Sequence, residues 1–147
     1  MANSLRQTWE QYHKGKPLEE GEVLTIDKKN GYILLERKQE EYLTKIEMCY
    51  WNESDKKHKL FAVSITSFVN GKYSAGQYDG LSFYRYNNAS KTMSLTHDVG
   101  FDVAIGTSDG AQISYSLPRT GKDIIATMWY ENKTKKKTIR WKGRKFN

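Results

Sequence analysis

Histidines, whose side chains are well suited to acid–base chemistry, are few and lie far apart in this sequence. The three histidines, His13, His58 and His97, have no partner at the spacing of metal ligands. His97 is followed directly by Asp98, and a base next to an acid could serve a small active site. If the protein is an enzyme, the sequence therefore predicts its site in the loop 97–110.

Metal sites and nucleophiles show no recognisable pattern. Asp98, Asp102 and Asp109 lack the spacing of an EF-hand calcium loop, which leaves only a looser cation site in that loop. Cys49 is the only cysteine, and its place in a strand pattern predicts a buried small hydrophobe. The nucleophile elbow Gly-x-Ser-x-Gly, the phosphate-binding glycine loop and the His-Glu-x-x-His helix are absent. We predict no catalytic residues, no metal and no cofactor.

Positive charge is concentrated at the C-terminus. Residues 131–147 contain eight Lys or Arg and one Glu, which accounts for the whole net charge of +7 and leaves residues 1–130 neutral overall. Aromatic residues interleave with these cations, a pattern that could bind nucleic acid, a polyanionic glycan or anionic lipid. The alternative is an edge strand whose lysines prevent aggregation. The candidate binding residues are Lys135, Lys136, Lys137, Arg140, Lys142 and Arg144.

Aromatic residues in strand patterns form the second candidate surface. Trp51, Tyr73, Tyr78, Tyr84 and Tyr86 cannot all face one core. An exposed platform of such rings could stack on a sugar or hold a peptide, and we select the strand pair Tyr84 and Tyr86 as binding candidates. The alternative is cross-strand aromatic pairing that only stabilises the sheet.

The pentapeptide from Leu117 to Gly121 matches the LPxTG sorting signal of surface-anchored proteins. A sorting signal needs a nearly membrane-spanning apolar stretch, whereas here Lys122 and Asp123 come first and the apolar run 124–130 is short. Proline near the start and glycine at the end are typical of an ordinary turn. We therefore predict a turn. The run 124–130 is the longest apolar run, so we predict no transmembrane segment.

The first element is predicted to be a short helix. Leu5, Trp9 and Tyr12 follow the spacing i, i+4, i+7, which places them on one apolar face, and Ser4 can cap the N-terminus. A Gly-Lys-Pro sequence then stops the pattern. The sequence predicts a helix over residues 4–14 that packs a tryptophan onto the rest of the domain.

Everything after the helix alternates as strands and turns. Residues 23–26 and 32–35 flank Asn30-Gly31, the favoured pair of a type I′ turn, and residues 42–51 form a long alternating strand. The last strand is predicted over residues 137–141. We predict one domain, 1–147, that is mostly β, with an antiparallel meander of about nine strands over residues 22–142 built as a curved sheet, sandwich or partly open barrel. A propeller-like array ranks lower because no internal repeat is visible.

Three segments resemble small exported β-rich proteins of gut bacteria. They are the run from Met48 to Trp51, the strand from Leu81 to Asn87, and the ending from Lys137 to Phe146. The likeness extends over residues 30–147 and is one of general sequence character, without a diagnostic motif. It implies a periplasmic or secreted protein and transfers no catalytic residue.

These observations lead to three hypotheses for the function. The first is a non-enzymatic exported binding or accessory domain that presents its aromatic strands to a protein or glycan. The second is a polyanion binder that acts through the basic C-terminal residues. The third is a small enzyme with its site in the loop 97–110. Export is the expected location, and a cytoplasmic one stays open as the alternative.

Overall fold

Antiparallel strands and turns make up the described part of the chain. The computed structural model describes residues 18–104 and 110–147, and no helix occurs within those two ranges. The helix predicted at residues 4–14 lies outside the described residues. The strands are β1 (Glu22–Asp27), β2 (Tyr32–Gln39), β3 (Tyr42–Asn52), β4 (His58–Val69), β5 (Lys72–Tyr73), β6 (Gly80–Asn87), β7 (Thr92–Thr96), β8 (Gln112–Ser116), β9 (Ile124–Trp129) and β10 (Thr134–Ile139).

The strands form two antiparallel sheets, and neither closes on itself. The larger has seven strands in the order β1-β2-β3-β4-β6-β7, with the two-residue β5 paired to β4. The smaller has three strands in the order β10-β9-β8. The predicted mostly-β, antiparallel fold is therefore confirmed for the described residues, which form two sheets and not one continuous meander. The ten strands that they contain exceed the predicted count of about nine, and β5 is only two residues long.

The Asn-Gly turns differ from the prediction. Asp27 pairs with Tyr32, so four residues separate β1 from β2, and Gly31 has φ of 63° while Asn30 does not adopt a positive φ. The predicted type I′ turn is therefore wrong there. A type I′ turn needs a two-residue loop with both φ values positive. That geometry occurs between β4 and β5, where Asn70 has φ of 49° and Gly71 has φ of 78°.

The C-terminal segment closes the smaller sheet onto the larger one. β10 ends at Ile139, two residues before the predicted end, and the chain then folds back. Arg140 and Asn147 exchange two backbone hydrogen bonds of 2.9 Å, and the Phe146 N–H donates to the Val99 carbonyl at 2.8 Å. The side chain of Phe146 thereby enters the core, where it is 3% exposed.

Strand register gives the larger sheet two distinct apolar faces. The inner face packs against the smaller sheet in one cluster that includes Trp51, Leu60 and Phe83 from the larger sheet and Tyr115 and Ile124 from the smaller one. A hydrogen bond joins the sheets directly, because the Ser64 hydroxyl donates to the Tyr115 carbonyl at 2.6 Å. The outer face carries a separate cluster built on Leu35, Ile46, Val63 and Ile65.

Candidate functional site

Cross-strand pairing orders the outer face into rows of side chains. In the direction of β1, the order is two aliphatic rows, then an aromatic row and then a mixed row. The first aliphatic row is Leu24, Leu35, Ile46 and Ile65, and the second is Ile26, Ile33, Met48 and Val63. The aromatic row is Tyr50, Phe61, Tyr84 and Leu95, and the mixed row is Lys59, Tyr86 and Met93.

Aromatic rings are in contact along the last two rows. The Tyr50 and Phe61 centroids lie 5.3 Å apart and those of Phe61 and Tyr86 lie 6.1 Å apart. The Lys59 ammonium lies 5.1 Å above the centre of the Tyr50 ring. The three rings are half-buried, while Met93 is 50% exposed. These rows thus offer large apolar surfaces to a ligand.

A groove of about 300 Å³ opens beside Tyr50 and Phe61. Its lining is almost wholly apolar and includes Ile33 and Met48 from the second aliphatic row. Gly31 shapes the end of the groove at Tyr50, because a Cβ atom on Gly31 would lie 2.4 Å from Cε1 of Tyr50. The absence of a side chain at this turn therefore allows the Tyr50 ring to lie against it.

A larger cleft of about 530 Å³ lies at the other end of the aromatic row. Tyr84 and Leu95 line it together with Phe101 and other residues of the segment 97–103. Leu95 is 57% exposed, which is high for a leucine beside a cleft. The aromatic row therefore runs from one concave site to another.

The structure brings together only part of the aromatic set singled out in the sequence. Tyr84 and Tyr86 lie on the outer face, next to Tyr50 and Phe61, which the sequence analysis did not select. Trp51 lies in the inner core at 4% exposure, and Tyr78 is 64% exposed on the loop before β6. Alternation in the sequence shows which residues of β3 and β4 share a face. The neighbours of Tyr86 follow only from the β4–β6 register.

A second aromatic cluster lies apart from this face. Tyr73 contacts Phe68 and Trp129, with ring centroids 5.8 and 6.2 Å away. The Trp129 indole N–H donates to the Ser114 hydroxyl at 2.9 Å. Burial raises the pKa of the Tyr73 hydroxyl to about 12, so it stays protonated at neutral pH. This cluster joins the β4–β5 hairpin to the smaller sheet.

The basic candidates lie on and after β10, the edge strand of the smaller sheet. Lys135, Lys136, Lys137, Arg140, Lys142 and Arg144 are all exposed. Within the described ranges, none of the six forms an ion pair, whereas neighbouring Lys145 pairs with Asp98 at 2.6 Å. Because β10 alternates, Lys136 points to the face opposite Lys135 and Lys137. The cations therefore surround an edge rather than cover one flat surface.

Tyr130 lies between two of the C-terminal lysines. The Lys133 and Lys135 ammonium groups lie 5.3 and 5.6 Å from its ring centre. An aromatic ring flanked by cations is a suitable contact for a base or a sugar next to a phosphate or sulfate.

Acid–base candidates do not form a catalytic pair in the described residues. Asp98 pairs with Lys145, and that hydrogen bond lowers the pKa of its carboxyl group. The side chains of His97 and Asp102 line the larger cleft, but neither hydrogen-bonds to another described side chain. Asp109 lies outside the described residues. No group of His, Cys, Asp or Glu in the described ranges could hold a metal ion.

The other histidine–carboxylate contact belongs to a turn. His58 Nδ1 lies 2.6 Å from Asp55, and His58 Nε2 lies 3.4 Å from the Asn87 side-chain amide. The hydrogen bond from His58 lowers the pKa of Asp55 to about 2. Asp55 also accepts bonds from the Lys57 and His58 backbone. The pair therefore holds together the connection between β3 and β4.

One buried carboxylate lies between the sheets. The Tyr32 hydroxyl donates to Glu47 Oε2 at 2.6 Å, and the Leu117 N–H approaches Oε1 at 3.4 Å. Burial raises the pKa of Glu47, and it also raises that of Cys49 on the same strand. A thiol with a raised pKa is a poor nucleophile at neutral pH. Cys49 is 3% exposed, which confirms the buried position expected from sequence.

The segment from Leu117 to Gly121 lies in the connection between the antiparallel strands β8 and β9, in agreement with the predicted change of direction. Leu117 is 5% exposed in the inner core, and Gly121 has φ of 77°. Arg119 reaches back to the β1–β2 hairpin, where its Nε lies 3.0 Å from Asp27.

Comparison of the chain with protein-family models, curated proteins and solved structures gives no match. Among the described residues, no helix has the length and apolar character needed to cross a membrane.

Proposed function

We propose that the domain is an exported, non-catalytic binding module that holds an apolar peptide segment of a partner protein. The observation that carries the proposal is the aromatic row Tyr50, Phe61, Tyr84 and Leu95, which connects two concave sites on the outer face. Ligand sites are typically concave and apolar, with a few polar groups that fix orientation.

A peptide fits this surface better than a glycan does. Sugar recognition needs several polar partners around a flat ring, whereas the groove is lined almost wholly by apolar atoms. The Tyr50 and Phe61 rings are tilted by 35° relative to each other, so they do not form one flat platform. Leucine, methionine or phenylalanine side chains of an extended peptide would fill such a surface.

Selection from a random peptide library tests the proposal. Peptides selected on the full-length protein should be rich in apolar residues and should shift the NMR signals of Tyr50, Phe61 and Tyr86. Tyr86→Ala should weaken binding by about tenfold or more, a typical loss for an interface aromatic residue. Tyr42→Ala, which removes an exposed tyrosine ring that lines neither the groove nor the larger cleft, is the control. Peptides that bind both variants equally would refute the proposal.

Export is supported by the resemblance of three segments to small exported β-rich proteins of gut bacteria. The test is fractionation of the source cells with an antibody to the protein. Recovery in the periplasm or medium is the expected result, and recovery with cytoplasmic markers alone would contradict it.

Polyanion binding through the basic candidates is the second proposal. The exposed cations around β10, none of which forms an ion pair with another described residue, favour it. The contact of Lys133 and Lys135 with the Tyr130 ring favours it as well. Affinity for heparin and single-stranded DNA should fall as the salt concentration rises. On nucleic acid, the logarithm of the affinity should fall linearly with the logarithm of the salt concentration, with a slope of about 0.7 to 0.9 per phosphate contact.

Alanine at Lys135, Lys136 and Lys137 should reduce that slope. Alanine at Lys28, Lys29 and Lys72, three exposed lysines on other strands and turns, should leave it unchanged. Equal effects of the two triple variants would show that only net charge matters and would exclude a site at β10.

A further inference from the structure

β7 is an edge strand of the larger sheet that carries no charged side chain. Its only neighbour among the described strands is β6, and the register with β6 is continuous, without a bulge. Its five residues, Thr92 to Thr96, are all neutral, and Met93 and Leu95 are 50% and 57% exposed. An edge without lysine, proline or a bulge is a template for pairing with another strand.

The other three edge strands in the described ranges are less suited to pairing with a second copy. β10 carries three consecutive lysines, and each copy has a net charge of +7. β1 has an acidic residue at each end. β8 is neutral, but Ser114 and Tyr115 are buried, and the Tyr115 carbonyl accepts the hydrogen bond from Ser64 of the larger sheet. Charge and exposure therefore favour β7.

We propose that two copies of the chain pair through β7, antiparallel and centred on Ser94. The strand is self-complementary in this register, because Thr92 lies opposite Thr96 of the partner subunit and Met93 lies opposite Leu95 of the partner subunit. A two-fold axis requires such a match between a surface and its own copy. A shift of two residues, the smallest that keeps each side chain on its face, would leave only three residues of each strand paired.

Pairing in this register extends the apolar surface of the outer face. Met93 and Leu95 share that face with Tyr86 and Tyr84, their partners on β6. The aromatic row then continues from Leu95 to the partner subunit's Met93 and the partner's Tyr86. Side chains directly opposite each other lie about 5 Å apart at Cβ, so both apolar residues lose exposed surface. On the other face, threonine and serine hydroxyls lie opposite hydroxyls and can form hydrogen bonds.

The described segment after β7 leaves the strand edge open. Val99 is 1% exposed in the inner core, and the Phe101 ring lies 5.9 Å from the ring of Phe83 on β6. The Phe146 N–H holds the Val99 carbonyl in this position. The segment thus passes beneath β6 on the inner side and does not run beside the free edge of β7.

Sedimentation equilibrium of the full-length protein tests the proposal. The average mass should rise from one chain toward two with concentration, because a five-residue pairing gives a small interface that dissociates on dilution. Met93→Lys should weaken dimerisation by about tenfold or more, because it removes an apolar contact and places two like charges across the interface. Val23→Lys makes the same charge change at a residue that is 55% exposed on β1, the opposite edge strand. This matched control should leave dimerisation unchanged.

Opposite charges test the register. Leu95→Glu should also weaken the dimer, because its two carboxylates lie on a diagonal about 7–8 Å long. A mixture of Met93→Lys and Leu95→Glu should recover dimers, since the new lysine of one copy lies directly opposite the new glutamate of the other. A mixture that stays monomeric would overturn the proposed pairing.

Amide hydrogen exchange of the unsubstituted protein separates the possible occupants of the edge. The β7 amides that point away from β6 should exchange more slowly as the protein concentration rises. Protection that is independent of concentration would mean that the chain itself covers the edge. Protection that appears only with a selected peptide would mean that the edge accepts a strand of another protein. Either result overturns the proposal, as does equal weakening by Val23→Lys or a single-chain mass at every concentration.

The inference does not rest on the proposed peptide-binding function. Dimerisation is measured without peptide, and the loss of peptide binding in Tyr86→Ala is measured separately. Either proposal can therefore fail alone.

Discussion

Glu47 is buried between the sheets with a hydroxyl donor and a backbone N–H as partners. The Tyr32 hydrogen bond favours the carboxylate, but desolvation is the larger effect and raises the pKa of Glu47 above its ordinary value of 4.5. The folded state therefore holds this proton more tightly than the unfolded state does. Ionisation of Glu47 costs stability as pH rises from about 4.5 through the folded pKa.

Glu47→Gln should remove that pH dependence. The free energy of unfolding of the variant, relative to the unsubstituted protein, should increase as pH rises above 4.5, because glutamine stays neutral. Urea unfolding from pH 4 to 8 measures the difference. Glu41→Gln, which removes an exposed carboxyl group in the turn between β2 and β3, is the control. A Glu47→Gln difference that falls with pH would mean that the carboxylate is stabilised instead, as at Asp27, whose pKa its Asn30 and Arg119 bonds lower to about 2.

Two glycines allow the strain of a turn to be separated from a side-chain contact. Gly31 and Gly71 have φ of 63° and 78°, so alanine at either position costs about 1–2 kcal/mol of left-handed strain. Only at Gly31 does the new Cβ meet a neighbour, the Tyr50 ring at 2.4 Å, whereas nothing lies within 4 Å of Gly71. Gly31→Ala should therefore lower the free energy of unfolding more than Gly71→Ala does, as measured by urea denaturation. It should also shift the NMR signals of Tyr50 and Phe61. Equal losses in the two variants would show that the ring adjusts freely.

Alternation identified most strands and hairpins, because a half-buried antiparallel strand alternates in sequence. It did not identify the type of the β1–β2 turn, since loop length depends on which residues pair. It also placed the last strand too late. β10 begins at Thr134 in a polar, lysine-rich stretch that lacks alternation, and pairing with β9 creates the strand.

The candidate site was predictable only in part. Tyr84 and Tyr86 were recognisable because aromatic residues at i, i+2 share one strand face. Their neighbour Phe61 comes from β4, which pairs with β5 at Phe68 and Val69 and with β6 over residues 58–65. Such non-local pairing depends on the packing of both sheets, and no pattern in a single strand records it.

An aromatic group around Phe146 joins the larger sheet to the loop after β7 and to the segment after β10. Phe146 contacts Trp51 and Trp141 with centroids at 5.0 Å, and Phe83 and Phe101 at 5.8 Å. A Cβ on Gly100 would lie 2.2 Å from the Phe146 carbonyl oxygen, so the backbone there is also closely packed. The larger sheet, the loop after β7 and the C-terminus thus meet at one side chain.

Phe146→Ala should lower the free energy of unfolding by about 3–5 kcal/mol, the usual range for a buried phenylalanine. Tyr42→Ala, which removes a ring that is 55% exposed, should change it by less than about 1 kcal/mol.

Tryptophan fluorescence and far-UV circular dichroism in urea should show one coincident transition for the unsubstituted protein, because both sheets share the inner core. Since Trp51 and Trp141 both contact Phe146, fluorescence should be lost earlier than circular dichroism in Phe146→Ala if the C-terminal segment detaches first. A small, parallel shift of both signals would instead mean that the remaining aromatic contacts hold the sheets together.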